Sequence, residues 1–167
     1  DTSGDGCLAV NAAFGAASRG GVQVDSFGNV FVADDVANLI HVINPTTGIM
    51  SVLAGGGTAC SAKQDSAGDN CLAATQTVTS GQRGMGVDPW GNVFLPGYGD
   101  HLSHMICRTA SPLCTAAQVG SMELVAGCAG GTGSSGTTGS GLDNTPAFST
   151  NGNSNATFNN HGTCSTS

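Results

Sequence analysis

The segment HLSHMIC sets His101, His104 and Cys107 at i, i+3 and i+6. On a helix the three would share a face and could offer a metal two imidazoles and a thiolate. The surrounding residues read as a strand, where side chains alternate, so His104 faces away from His101 and Cys107. Surface imidazoles beside a disulfide cysteine are the better reading, and no metal is expected. Asp25, Asp34 and Asp35 offer carboxylates to calcium, but no EF-hand-like loop surrounds them. Within Gly130–Gly136 the letters GTGSSG spell a G-x-G-x-x-G pattern. A dinucleotide fingerprint needs a helix next, and TTGSGLDNTP cannot start one, so no cofactor is expected. No G-x-S-x-G elbow occurs, and no Ser-His-Asp set stands out. No catalytic residue is assigned.

Composition narrows the partners. Four basic residues against eleven acidic ones leave a net charge of −7. A phosphate-binding surface needs clustered Lys and Arg, so nucleic acid is excluded. No membrane span or polybasic anchor is present. The 27 glycines argue against a helical bundle and for short strands joined by tight turns. Seven cysteines in so polar a chain point to an oxidising, extracellular setting. Cys60 and Cys71 bracket SAKQDSAGDN, and Cys107 and Cys114 bracket RTASPL. The absence of any C-x-x-C pair favours disulfides over zinc, each contributing about 2–3 kcal/mol by restraining a short loop.

The elements that carry these residues are repeated. VDSFGNVFVAD from Val24 returns as VDPWGNVFLPG from Val87, with Asp25 and Asp88 63 residues apart. Each copy divides into four apolar runs. The first has Val22–Asp25, Asn29–Ala33, Leu39–Ile43 and Ile49–Ala54; the second has Met85–Asp88, Asn92–Leu95, Leu102–Ile106 and Met122–Ala126. Asp25, Gly28 and Asn29, and likewise Asp88, Gly91 and Asn92, are the turn residues between the first two runs. The Asp accepts backbone hydrogen bonds, the Gly supplies a positive φ, and the Asn restarts the strand. Four antiparallel strands at such a period are the pattern of propeller blades. The expected fold is therefore all-β: two four-stranded antiparallel propeller-type blades with Gly/Ser/Thr-rich linkers and tail.

The expected boundaries are a linker over 1–19, a first blade over 20–57, an inter-blade linker over 58–83, a second blade over 84–128 and a Gly/Ser/Thr/Asn-rich segment over 129–167. The linkers repeat too: GDGCLAVNAAFGAASRG precedes the first blade and GDNCLAATQTVTSGQRG the second, pairing Cys7 with Cys71. The tail holds one N-glycosylation sequon at Asn155 and many hydroxyls open to O-linked glycans.

GVQVDSFGNVFVAD with VLAG, and GVDPWGNVF with LVAG, resemble the NHL-repeat family over about Gly20–Gly57 and Arg83–Gly130. GDNCLAAT is similar to linkers of secreted bacterial members with many repeats. The resemblance implies propeller blades, of which the family commonly assembles six. Family lyases and hydrolases carry metal-bound histidines on the central channel, and no matching histidine pattern is present here. Two blades do not close a ring. Cys128 takes the place of Cys60 after the second blade, but its partner position reads DNTPA. Cys7 takes the place of Cys71, but nothing stands where its partner should be. A head-to-tail contact would satisfy both, with Cys128 of one copy bonding Cys7 of the next. The alternatives are pairing of Cys7 with Cys128 or Cys164 within one chain, or a chain that is part of a longer propeller.

The expected function is thus a non-enzymatic extracellular structural protein that assembles head to tail with copies of itself into a disulfide-stabilised filament. A ligand-binding module in a closed six-blade ring, and a metal-dependent lyase-like propeller, are the alternatives.

Overall fold

The computed structural model describes residues 5–15, 20–57, 71–76, 78, 84–96 and 103–126. Among the described residues the architecture is mostly β, two antiparallel sheets with short 3₁₀ turns. Sheet one runs β1 (Val22–Val24), β2 (Val30–Asp34), β3 (Leu39–Ile43) and β4 (Met50–Gly55), each strand antiparallel to the next. Sheet two contains β5 (Cys71–Leu72), β6 (Gly86–Val87), β7 (Val93–Pro96), β8 (Ser103–Ile106) and β9 (Ser121–Ala126), in the spatial order β5-β9-β8-β7-β6. Among the described residues no helix is long and apolar enough to cross a membrane.

The repeated turns form as the letters require. The Asp25 carboxylate accepts the Phe27 and Asn29 amides, each at 2.9 Å, and the Asn29 side chain at 2.7 Å. Asp88 repeats this with the Trp90 amide at 2.9 Å, the Asn92 amide at 2.8 Å and the Asn92 side chain at 2.9 Å. Gly28 and Gly91 take φ of 84° and 87°, which a residue with a Cβ adopts only at a cost. Both sheets also shift register at the same place in the repeat, between Ile40 and His41 and between Ser103 and His104.

Sheet two has five strands where four were expected. Cys71 and Leu72, assigned from sequence to the linker, pair with Met122 and Ser121 on β9. The N-terminal segment does the same on sheet one. Leu8 bridges Ile49, the Met50 amide donates to the Cys7 carbonyl at 2.9 Å, and the Ala9 amide donates to Gly48 O at 2.9 Å. A short 3₁₀ turn then follows each, Ala9–Asn11 and Ala73–Thr75. The repeating unit is therefore linker plus sheet, and each linker covers the outer edge of the sheet that follows it. Where it is covered in this way, at Ser121–Met122 and Ile49–Met50, the strand edge does not offer its backbone to another chain.

The core lies between the sheets. Phe31, Ala33, Ile40 and Ala54 on one face of sheet one, with Ala73 and Val78 of the linker, pack against Met85, Val93, Leu95, Ile106 and Met122 on one face of sheet two. The register confirms that these are single faces: Phe31 lies opposite Val42 and Ala33 opposite Ile40, while Val93 lies opposite Ile106, itself opposite Met122. A second, smaller cluster sits on the far face of sheet two, where Met105, Cys107 and Cys114 gather Phe94, Leu113 and Val125.

Candidate interaction faces and buried polar groups

Equivalent positions in the two repeats have different surroundings. Aligning Asp25 with Asp88 places Val22 on Met85 and Val24 on Val87, and aligning Cys7 with Cys71 places Phe14 on Val78. Met85 is 8% exposed and Val78 5%, because both lie in the core between the sheets. Val22 is 58% exposed and Phe14 39%, because no sheet precedes sheet one among the described residues. Val30, Val32 and Ile43 on the same free face are half-buried where Val93, Leu95 and Ile106 are fully buried. Sheet one thus carries an apolar face that, in the sheet two copy, is an interface. Apolar surface of this kind gains free energy when covered, at about 25 cal/mol per Å².

The cysteines follow the same contrast. Cys71 is buried and disulfide-bonded, with its partner outside the described residues, where Cys60 lies. Cys7, at the equivalent place, is exposed with a free thiol. Cys107 and Cys114 are joined, their Cα atoms 5.8 Å apart, as the spacing predicted. Cys128, Cys164 and Asn155 lie outside the described residues, as does His101.

One cation ties the sheets together. Arg108 follows β8, and its Nη1 stands 3.4 Å from Asp25 Oδ2 and 3.2 Å from Gly91 O, with the guanidinium 4.8 Å from the Phe31 ring centroid. Burial opposes ionisation of Asp25, but hydrogen bonds from Asn29 and Phe27 and the charge of Arg108 outweigh it and hold the carboxyl below its usual value. Ser26 Oγ adds a bond to Pro89 O at 3.1 Å, turn to turn. Sequence reasoning missed Arg108, although a basic residue in a chain with four of them is itself a signal.

The second buried group is on the free face of sheet one. His41 is buried, its Nδ1 has no hydrogen-bond partner, and Phe14 meets it edge-on at 5.7 Å between ring centroids. Burial lowers its pKa, partly offset by Asp34 and Asp5. Asp34, whose carboxylate accepts the Gly15 amide at 2.8 Å and the Ala37 amide at 3.0 Å, is in turn held below its ordinary value. His104 stands at the equivalent strand position of sheet two, half-buried. Glu123 is fully buried on the far face of sheet two and accepts the Ser121 hydroxyl. Among the described residues, no three His, Cys, Asp or Glu side chains group as a metal site would need. Asp25 and Asp34 are turn acceptors, not members of one carboxylate cluster. The chain matches no family model and no curated protein.

Proposed function

We propose that this is a non-enzymatic extracellular structural protein whose two sheets are NHL-like propeller blades, and that it assembles head to tail with copies of itself into a disulfide-stabilised filament. The observation that carries the reading is the contrast between equivalent positions. Val22 and Phe14 lie open on the leading face of blade one, while Met85 and Val78 are buried on the matching face of blade two. A protein that stacks its own blades already has half of a repeating contact. Offering the other half to a second copy makes a heterologous interface, which yields a ring if the rotation closes and an open fibre if it does not. The exposed Cys7, matching the disulfide-bonded Cys71, supports a covalent link from Cys128 of the preceding copy. Glycans on the hydroxyl-rich tail would keep so weakly charged an assembly dispersed.

The test is electron microscopy and sedimentation of non-reduced protein, repeated after reduction. Long particles with an axial repeat of one two-blade unit, shortened by reductant, are expected. Monomers at every concentration would sink the reading. Closed particles of three copies would replace the filament with a ring.

A further inference from the structure

Resting on that reading, we infer that a second copy seats the leading face of its blade one on the Phe94 face of blade two in the register of the internal pair, and that residue 45 sets the strength of this junction. The internal junction is clasped by Arg108, which reaches the preceding blade at Asp25 and Phe31. Shifting all three by the repeat distance of 63 residues gives the residues of the junction between copies: Asp88, Phe94 and, in place of Arg108, Pro45. The two acceptor turns are the same. Asp88 holds the same two backbone amides and the same Asn side chain as Asp25. The donor positions also coincide. A Cβ at Gly91 would lie 3.3 Å from Arg108 Nη1, and a Cβ at Gly28 would lie 3.5 Å from Pro45 Cβ, so each side chain stands over the glycine of its own turn.

The receiving face is apolar in part, with Ser103 standing where Ile40 does in the internal junction. Phe94 and Val125 are half-buried on it, while the loop closed by Cys107–Cys114 covers Met105 completely. Val22, Val24 and Phe14 are the exposed apolar groups that would meet it. Proline at 45 can neither pair with Asp88 nor lie over Phe94 as a cation. The junction between copies therefore lacks the clasp of the internal one, and the thiol of Cys7 is left to hold it.

The experiment reads the dissociation constant of self-association by sedimentation equilibrium of the full chain under reducing conditions. The variants are Pro45→Arg, Pro45→Glu and Pro45→Arg combined with Asp88→Asn. Residue 45 is exposed in a turn, and far-ultraviolet circular dichroism checks the fold of each variant. Pro45→Arg is expected to tighten association about fivefold, the worth of a partly shielded ion pair with a cation–π contact. Pro45→Glu should weaken it by a similar factor, and adding Asp88→Asn should cancel most of the gain from Pro45→Arg. Association of the native chain with no response at residue 45 overturns this register and leaves self-assembly standing. A native chain that associates neither with nor without reductant overturns both.

Discussion

Replacing Arg108 with Ala tests how the two sheets are held together. The guanidinium stands over Phe31 at 4.8 Å, a contact worth about 0.5–1 kcal/mol when partly shielded from water. Its pair with Asp25 at 3.4 Å adds about 0.5–1 kcal/mol. The larger penalty for stranding a buried carboxylate does not apply in full, because Asp25 keeps its bonds to Phe27 and Asn29. The Arg108 side chain is 23% exposed, and burial of its stem brings the total to about 2 kcal/mol, or roughly 4–8 °C in Tm for a chain of this length. Equilibrium unfolding in urea measures the loss, and NMR titration should find the Asp25 pKa raised. Arg108→Lys keeps the charge but not the planar stacking, and should lose about half as much. A loss below about 0.5 kcal/mol for Arg108→Ala, with the Asp25 titration unmoved, would refute the clasp as an energetic tie.

The two turn asparagines should differ sharply. Asn92 is fully buried and bonds Asp88, Ser111 and the amides of Arg108 and Thr109, so Asn92→Ala should cost about 3 kcal/mol in urea unfolding, against about 1 for Asn29→Ala. Folding lowers the pKa of His41, so its stabilising contribution is complete above the unfolded value of about 6.5 and is lost as pH falls through that value toward the folded one. Asp25 and Asp34 are also lowered, and their contribution is lost only below about pH 4. Urea midpoints from pH 8 to 3 should show two steps, and His41→Gln should remove the upper one. Cys107→Ser with Cys114→Ser opens a loop of sequence separation 7 and should cost about 2–2.5 kcal/mol, seen as a lower Tm that no longer responds to reductant at this site.

Much of the fold is legible in the sequence because it is local. An Asp that caps its own turn, a Gly three residues on and an apolar run on either side specify a hairpin wherever they occur, so Asp25–Asn29 and Asp88–Asn92 fold alike and the predicted runs lie within a residue or two of β1–β4 and β6–β9. The short spacing of Cys107 and Cys114 belongs to the same class. What the tertiary structure alone decided is non-local. Cys71–Leu72 is a strand of two residues, too short for any periodicity, and becomes one only because β9 presents an open edge to it. Arg108 finds Asp25 across 83 residues, a separation that local turn chemistry does not reach. Alternation of apolar residues marks both faces of each sheet without saying which is covered. Only the packing of Phe31 and Ile40 against the Val93–Ile106 side decides which faces the two sheets share, and so which face of sheet one lies open.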